Sequence, residues 1–540
     1  MEGNFMHYRG PWADIEIPDL TLYELIFDSL RDDELNRVAF EHPETGLVVS
    51  FGELKQAVDS FATWLAARDL GRGDAVAVLL TNRPEYATAF HGTLRSGASV
   101  TPVNPAATAR EIARQLESTR TRVVVTSTDL AAKACQAAQL AGLGEHAVVV
   151  VDGQGGDGTL AWREVLATQA APPAVDLDPA RDVACLPVSS GTSGLPKAVM
   201  LSHRNLVANM LQFDTALDSL GQENSLVAFL PFSHIYALTT NMNYGLLRRY
   251  PQYTMSGFDA RLFLRIVQTR RPTMLFVVPP VASFLARSRA VDEVDWSSVK
   301  LVVSGAAPLD QEAGERLQQR MRTRVVQGYG MTELSPVTHL IPLERHDIPL
   351  GTIGMPIANV TMRVVDPETG QDVAAPQPGQ WSQPGEMWIS GPNAMLGYLH
   401  ESEATDAVRD ADGWVHTGDL VSIDHEGTTR VVDRIKELIK RRGFQVAPAE
   451  VEALLVQHPG VVDAAVLGVE HHDGDQIPHA LLILREGTDR QSTPAQVVQW
   501  INEQVAQYKH LGGATAVDAL PRSAAGKILR RELPSLLHTR

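Results

Sequence analysis

Residues 189–197 have the sequence SSGTSGLPK and follow a strand-like run, Val183 to Val188. Hydroxyl side chains alternate with glycines, and Lys197 closes the segment. Glycines let the backbone turn and present N–H groups, while the hydroxyls and the lysine add donors and positive charge. The spacing differs from that of a Walker A loop. The segment therefore predicts a phosphate-binding loop of another kind.

The sequence on both sides of this loop alternates between helical and strand patterns. Ser50 and Glu53 form a capping-box pair before an amphipathic segment, and Pro84 suits the first turn of another helix. Such alternation is typical of α/β layers around a largely parallel sheet. Strands are predicted at 75–80, 98–103, 122–127, 147–151, 225–230, 274–278 and 300–304.

The pattern changes after about Thr352 to short strands separated by turn residues. Strands are predicted at 361–365, 367–378 and 386–390, although 370–385 is also rich in the Gln and Pro typical of loops. After Asp433 a helix at 448–458 and a strand at 463–469 are predicted. The overall prediction is an α/β fold with a β-rich part and a small α+β region at the end.

Composition excludes several classes of function. The chain has 540 residues, 44% hydrophobic and 21% charged, with a net charge of −17. This acidic balance argues against a nucleic-acid-binding protein, which needs a basic surface. Two cysteines favour a reducing, cytoplasmic location. No segment is long and apolar enough to predict a membrane span, and we expect no secretory leader.

One glycine-rich segment imitates a dinucleotide-binding motif. Residues 153–158, GQGGDG, satisfy G-x-G-x-x-G after a strand. The stretch is very polar, and a flexible loop is the favoured interpretation.

Five segments together resemble the adenylate-forming superfamily of acyl-CoA and aryl-CoA ligases, firefly-type luciferases and nonribosomal adenylation domains. The 4-coumarate–CoA ligase and luciferase branch is the most similar, given PFSHIYAL at 231–238 and SGAAPL at 304–309. The resemblance extends from about Asp19 to the end. Besides the phosphate loop, the segments are QGYGMTE at 327–333, GWVHTGDL at 414–420, DRIKELIKRRGFQVAPAE at 433–450 and RSAAGKILRRE at 522–532.

The resemblance implies a large N-terminal adenylation domain at 1–432, a hinge at 433–436 and a small mobile C-terminal domain at 437–540. It implies an acid–thiol ligase that uses ATP, Mg²⁺ and coenzyme A to activate an aryl, phenylpropenoid or medium-chain acid. Transfer of the acyl group to a carrier-protein phosphopantetheine remains an alternative, as does a luciferase-like oxygenase. A non-catalytic nucleotide-binding relative is disfavoured because Lys197, Glu333 and Lys527 are intact.

The resemblance also implies a role for each matched nucleotide-site residue. Glu333 would hold Mg²⁺, which prefers oxygen ligands. Asp419 would accept from both ribose hydroxyls, and Lys527 would bridge the acid carboxylate and the α-phosphate as a point charge. The nucleotide set is Ser189, Ser190, Gly191, Thr192, Ser193, Gly194, Lys197, Ala306, Gln327, Gly328, Tyr329, Thr332, Asp419, Arg434, Lys440 and Lys527.

The acid and the thiol are assigned in the same way. His234 would lie beside the acyl pocket and the thiol path, and Lys436 would be the hinge pivot; with Lys527 they form the catalytic set. Arg442 and Gly443 would bind coenzyme A, although Arg442 departs from the lysine usual in this stretch. The acyl pocket would be lined by His234, Tyr236, Thr240, Ala306, Gly328, Gly330 and Val337.

Overall fold

The computed structural model describes residues 6–156, 158–168, 171–189, 196–441, 444–470, 476–523 and 526–537. Its strands, in chain order, are β1 Val38–His42, β2 Leu47–Ser50, β3 Ala75–Leu79, β4 Ser99–Pro102, β5 Thr121–Thr126, β6 Val148–Val150, β7 Thr159–Ala161, β8 Val183–Cys185, β9 Val188–Ser189, β10 Lys197–Ser202, β11 Leu226–Ala228, β12 Gln252–Thr254, β13 Met274–Val277, β14 Leu301–Ser304, β15 Arg324–Gly330, β16 Val337–Leu340, β17 Met355–Pro356, β18 Thr361–Val365, β19 Gly385–Ser390, β20 Gly397–Tyr398, β21 Val415–Ile423, β22 Thr429–Arg434, β23 Ile439–Arg441, β24 Phe444–Val446, β25 Val461–Glu470, β26 Gln476–Leu484 and β27 Gly513–Ala516.

The helices alternate with these strands through most of the chain. They are α1 Phe51–Ala66, α2 Pro84–Arg95, α3 Ala109–Ser118, α4 Thr128–Leu140, α5 Trp162–Leu166, α6 His203–Ala216, α7 Ile235–Ala237, α8 Tyr244–Leu247, α9 Ala260–Arg270, α10 Pro279–Arg287, α11 Gln311–Met321, α12 Ser402–Asp406, α13 Pro448–Leu455, α14 Thr493–Asn502 and α15 Leu533–Leu536. A π-helical turn, Leu238–Asn243, joins α7 to α8.

Two large sheets form the first part of the molecule. The first sheet has the order β17-β16-β15-β14-β13-β11-β12-β1-β2, and its central strands are parallel. The second has the order β20-β10-β8-β4-β3-β5-β6-β7, with β9 paired to β10. Continuous apolar runs such as β3 and β13 are buried along their whole length, as expected for parallel strands covered on both faces.

Helices α2 and α6 lie between the two sheets. α2 contacts β1 of the first sheet and both β3 and β4 of the second, while α6 contacts β16 on one side and β8 and β10 on the other. Ten of the twelve residues of α2 are buried. Because both faces of these helices are covered, the two sheets share one continuous hydrophobic core.

The last part of the chain contains smaller sheets. Strands β18, β19, β21 and β22 form an antiparallel sheet. Strands β25, β26 and β27 form a mixed sheet, in which β25 and β26 are antiparallel and β26 and β27 are parallel. This mixed sheet belongs to a separate core that runs from Ile439 to Leu511. Between the two small sheets lies the β23–β24 hairpin.

Most predicted elements are confirmed, and one is wrong. The capping box of Ser50 and Glu53 is present, and Pro84 begins α2. Residues 367–378 are a loop between β18 and β19, with a single bridge from Val365 to Asp372; their prolines and glycines prevent a continuous ladder. The GQGGDG segment leads into β7 instead of a helix, so it lacks the context of a dinucleotide site. In the described residues, no helix is long and apolar enough to cross a bilayer.

Candidate active site

The proposed site residues gather at the carboxyl ends of the parallel strands of the first sheet. The segment after β11 carries His234, the segment after β13 carries Val278 to Pro280, and the segment after β14 carries Ala306. β15 ends in Tyr329 and Gly330. Ligands of open α/β sheets bind at this edge, because the connecting loops diverge there.

Asp419 forms the most strongly fixed polar contact of the site. It lies on β21 directly opposite Arg434 on β22, and Arg434 Nε is 3.1 Å from its carboxylate. The Tyr329 hydroxyl donates to the other carboxylate oxygen. Asp419 is only 4% exposed. Burial, and then the negative charge of Asp419, raise the pKa of Tyr329, so the phenol remains a donor.

The strand that carries Asp419 is itself held in place by its neighbours. The Thr417 hydroxyl donates to the Met387 carbonyl at 2.7 Å and accepts from the Asp419 N–H at 3.1 Å. The rings of Trp388 and His416 stack at 3.8 Å between adjacent strands. These contacts fix the direction in which the carboxylate points.

Glu333 is a buried carboxylate in a short helical turn, Thr332–Leu334, directly after β15. It is 5% exposed, and the Tyr398 hydroxyl donates to its Oε1 at 2.8 Å. Among the described residues there is no group of three or more His, Cys, Asp and Glu side chains that could hold a metal ion. A single carboxylate fits Mg²⁺, which takes few protein ligands when phosphate oxygens complete its shell.

Lys527 reaches the same cleft from the C-terminal part of the chain. It is preceded by Gly526, whose φ is +78°, and a Cβ there would lie 3.1 Å from Pro280. Desolvation, followed by the positive charge of Arg434, lowers the pKa of Lys527 to about 8, while Glu437 and Asp419 act in the opposite direction. The ammonium group therefore lies within electrostatic reach of the Asp419–Arg434 pair.

His234 faces the cleft at the start of α7. Its Nδ1 accepts from the Tyr236 N–H at 3.3 Å, which assigns the proton of the neutral ring to Nε2. Desolvation, and then the positive charge of Lys527, lower the pKa of His234 to about 4, although the residue as a whole is exposed. His234 and Lys527 are thus close enough to affect each other's charge.

Two family models match this chain. The family model described as "AMP-binding enzyme" matches residues 28–399, and the one described as "AMP-binding enzyme C-terminal domain" matches residues 450–527. The chain belongs to the AMP-binding enzyme family. A 4-coumarate–CoA ligase 5 of Oryza sativa subsp. japonica is 37% identical to it over 539 residues, covering 98% of this chain and 97% of the relative. A 4-coumarate–CoA ligase of Pinus taeda is 35% identical over 98% and 97% of the two chains.

Solved structures are also similar to this AMP-binding enzyme. ATP-bound MatB from Rhodopseudomonas palustris superposes with a TM-score of 0.84 at 29% identity, covering 96% of this chain and 98% of the other. The o-succinylbenzoate CoA synthetase of Bacillus subtilis, in complex with its acyl-adenylate intermediate, gives 0.79 at 25% identity over 95% and 98%. These structures share the large sheets and the small C-terminal sheet.

Tyr236, Thr240 and Gly330 belong to the set of residues predicted to line an acyl pocket in this AMP-binding enzyme. The Tyr236 hydroxyl donates to the Val303 carbonyl at 3.2 Å, and a Cβ at Gly305 would lie 3.1 Å from the Tyr236 ring. A Cβ at Gly330 would lie 2.2 Å from the Pro336 carbonyl, so a side chain cannot be added there. Thr240 is buried, and its hydroxyl donates to the Tyr236 carbonyl at 2.9 Å.

Several predicted residues lie at the edge of the described site or outside it. Lys197 begins β10, Lys436 lies on the short turn Ile435–Glu437, and Lys440 lies on β23; the last two are exposed. Gln327 is buried, and its amide donates to the Thr352 carbonyl at 2.7 Å. The predicted residues outside the described part are Ser190, Gly191, Thr192, Ser193, Gly194, Arg442 and Gly443.

The structure adds residues that the sequence analysis missed. The Asp433 carboxylate accepts at 2.8 Å from the N–H of Ala449, in the first turn of α13. Arg530 forms ion pairs with Glu437 at 2.5 Å and with Glu452 at 3.0 Å. Tyr398 contacts Glu333, as described above. Asp433 and Arg530 lie in the segments 433–450 and 522–532, but the sequence of these segments does not show which residues they contact.

Proposed function

We propose that this AMP-binding enzyme is an acid–thiol ligase that activates an aryl or phenylpropenoid acid as its adenylate and transfers the acyl group to coenzyme A. One observation carries the proposal. The charge of Lys527 interacts with the Asp419–Arg434 pair and with His234, so these groups face one cleft. This arrangement places a cation beside a candidate ribose site and a candidate acyl pocket. The names of the full-length relatives agree with this reaction.

The nucleotide would bind to the wall formed by β15 and β21. One Asp419 oxygen accepts from the Tyr329 hydroxyl and the other forms an ion pair with Arg434, and each has a lone pair left for a ribose hydroxyl. The ring of Tyr329 would lie against adenine. Glu333 would hold Mg²⁺, which would offset negative charge on the ATP phosphates, and the Thr332 hydroxyl would donate to the α-phosphate.

The first reaction joins two anions, which is why it needs Lys527. A carboxylate oxygen of the acid attacks the α-phosphorus, and the bond from that phosphorus to the β-phosphate oxygen breaks, releasing pyrophosphate. The Lys527 ammonium would stabilise charge on both reacting groups. The Nε2–H of His234 would donate to the acid's remaining oxygen.

The second reaction exchanges AMP for a thiol. The sulfur of coenzyme A attacks the acyl carbon, the bond from this carbon to the AMP oxygen breaks, and the thiol proton leaves to solvent. Lys527 would obstruct the incoming thiol. We therefore infer a rotation of residues 437–540 about a hinge at 433–436, with Lys436 as pivot. It would bring Lys440, Arg442 and Gly443 toward the thiol.

The acid is inferred to be flat and hydroxylated at its far end. The Tyr236 hydroxyl already donates to Val303, so toward a ligand its oxygen can only accept. The small side chain of Ala306 and the absence of one at Gly328 limit the bulk of the predicted pocket wall, as a flat ring requires. A 4-hydroxycinnamic acid satisfies both conditions, in agreement with the names of the 4-coumarate–CoA ligases.

A substrate panel tests this function. Pyrophosphate release is measured with cinnamic, 4-hydroxycinnamic, benzoic and medium-chain fatty acids, first with free coenzyme A and then with a holo carrier protein. We expect the fastest release with 4-hydroxycinnamic acid and a coenzyme A thioester as product. A thioester formed on the carrier protein alone would contradict the assignment of the thiol. Absence of pyrophosphate release with every acid would contradict the ligase itself. We also propose that this enzyme is located in the cytoplasm.

A further inference from the structure

Tyr398 lies where the second sheet meets the candidate metal site. It belongs to β20, and it pairs with Val199 of β10, the strand that begins at Lys197. Its N–H donates to the Thr405 hydroxyl at 2.8 Å, and the residue is 6% exposed. Both its backbone and its ring are therefore fixed by the surrounding structure.

The side chain of Tyr398 contacts two charged residues of opposite sign. Its hydroxyl donates to Oε1 of Glu333 at 2.8 Å. On its face, the Lys197 Nζ lies 5.4 Å from the ring centroid, within the range of a cation–π interaction. One aromatic ring thus connects the lysine of the phosphate loop to the carboxylate assigned to the metal.

The segment that leads into Tyr398, residues 393–398, also holds the backbone of Glu333. The N–H of Met395 donates to the Glu333 carbonyl at 2.8 Å. Asn393 adds a contact to the next residue, because its Nδ2 donates to the Leu334 carbonyl at 2.7 Å. Residues 393–398 therefore fix both the main chain and the carboxylate of Glu333. A glutamate side chain without such contacts would sample several rotamers.

We propose that Tyr398 is a positioning residue that aims the Glu333 carboxylate at Mg²⁺ and seats Lys197 beside the ATP phosphates. The proposal rests on the metal role assigned to Glu333 under the proposed function. The hydroxyl occupies Oε1 and leaves the second oxygen for the ion. Hydrogen-bond partners of metal ligands typically account for about 10- to 100-fold in metal affinity. Burial, with Glu333 nearby, raises the pKa of Tyr398 and keeps its hydroxyl protonated.

Two substitutions separate the two contacts. Tyr398→Phe keeps the ring beneath Lys197 and removes the hydrogen bond to Glu333, whereas Tyr398→Leu removes both. The probe is α,β-methylene ATP, which lacks the bond that the reaction breaks, titrated by calorimetry at a series of Mg²⁺ concentrations without any acid. No turnover occurs, so the readout is binding alone. Tyr86→Phe is the matched control, because the Tyr86 hydroxyl is buried and has no hydrogen-bond partner among the residues that the structure describes.

We expect the two substitutions to affect the Mg²⁺ requirement and the nucleotide affinity differently. Tyr398→Phe should raise the Mg²⁺ concentration for half-maximal binding by about 10- to 100-fold, with near-normal nucleotide affinity at saturating Mg²⁺. Tyr398→Leu should show the same shift and, in addition, weaker nucleotide binding at saturating Mg²⁺. Tyr86→Phe should match the wild type. Weaker nucleotide binding by Tyr398→Phe at every Mg²⁺ concentration, saturation included, would indicate a general structural role and would overturn the proposal.

Glu333→Gln distinguishes this proposal from the proposed function. If Glu333→Gln raises the Mg²⁺ requirement and Tyr398→Phe leaves it unchanged, the positioning role of Tyr398 is wrong while the metal site stands. If neither variant changes the requirement, the metal assignment of Glu333 fails and the positioning role fails with it. Should Tyr398→Leu not fold, Tyr398→Phe alone decides the metal contact.

Discussion

Asp419 on the N-terminal wall of the cleft and Lys527 on the C-terminal wall bring opposite charges into one site, but they are held in different ways. Asp419 is buried and fixed by Tyr329, Arg434 and its own strand. Lys527 lies in a turn after Gly526, closed by a Ser523 N–H to Lys527 carbonyl bond of 2.8 Å. At this turn, a Cβ added to Gly526 would lie 3.1 Å from Pro280 of the opposite wall. The side chains proposed to bind the nucleotide are thus fixed within one sheet, whereas the lysine proposed to act in catalysis is carried on a turn from the C-terminal part of the chain.

The cores behind the two walls differ in the same sense. The N-terminal wall belongs to one continuous core with two large sheets, whereas the core beside Lys527 is a small cluster on β25 and β26 that includes Leu520, Leu533 and the partly buried Ile528. A docked element that must leave the cleft between two reactions benefits from a small contact area. The predictions below test this contrast, from the largest expected effect to the smallest.

Acid should destabilise the N-terminal core. His91, His203 and His339 are buried there, and desolvation lowers their pKa values to about 3, about 4 and about 3. In the unfolded chain they bind protons below about pH 6.5, whereas in the folded chain they do not, so stability falls as the pH decreases through that value. Three such groups together cost about 4 kcal/mol between about pH 7.5 and about pH 5.5.

Tryptophan fluorescence during urea unfolding measures this loss. Trp500 is the only tryptophan after residue 432, and seven others precede it, so the signal reports mainly the N-terminal part. Equal unfolding free energies at the two pH values would contradict the assignment of three neutral buried histidines.

Asp419→Ala should weaken ATP binding far more than acid binding. It removes a charge-assisted acceptor that is already oriented, which costs about 2–3 kcal/mol, or roughly 30- to 150-fold in affinity. The measurement is ATP half-saturation of pyrophosphate release. Asp433→Ala is the control, because Asp433 lies on the neighbouring strand but faces Ala449. An unchanged ATP requirement in Asp419→Ala would remove this residue from the nucleotide site.

Gly526→Ala should impair docking of Lys527. Alanine at a φ of +78° costs about 1–2 kcal/mol, and its methyl group would press on Pro280 at 3.1 Å. We expect pyrophosphate release to fall by about 10-fold. Gly487→Ala is matched to it, since Gly487 has a φ of +83° and nothing within 4 Å of an added Cβ. Similar losses of activity in both variants would show that backbone strain alone, and not contact with Pro280, is responsible.

Asp433→Ala should have the smallest effect. It removes a helix cap that joins β22 to the first turn of α13, a contact worth about 1 kcal/mol. Pyrophosphate release should fall a few-fold, while thioester formation from supplied acyl-adenylate stays unchanged or rises. Asp433→Asn keeps one acceptor oxygen and should retain most of the pyrophosphate release. A loss confined to the thioester step would be opposite to this expectation.

The sequence indicated which residues to expect in the candidate site, but not the contacts that support them. Asp419 and Arg434 could be identified because each lies in a long motif, and the structure brings them together as a cross-strand pair. Tyr398 could not be identified in this way. Its role depends on the pairing of β20 with β10, and the two strands are about 200 residues apart. The prediction of a strand at 367–378 was wrong because strand pairing is not visible in a local pattern. In the structure β18 pairs directly with β19, and these residues form the loop between them.

The most direct test of the central claim compares the two half-reactions in Lys527→Ala. Pyrophosphate release from acid and ATP is measured beside thioester formation from supplied acyl-adenylate and coenzyme A, with circular dichroism to confirm folding. If Lys527 acts as a docked cation in the first reaction only, release should fall by at least about 100-fold, while thioester formation stays near the wild-type rate. An equal loss of both half-reactions in a folded variant would contradict the separation of a fixed binding wall from a withdrawable catalytic lysine.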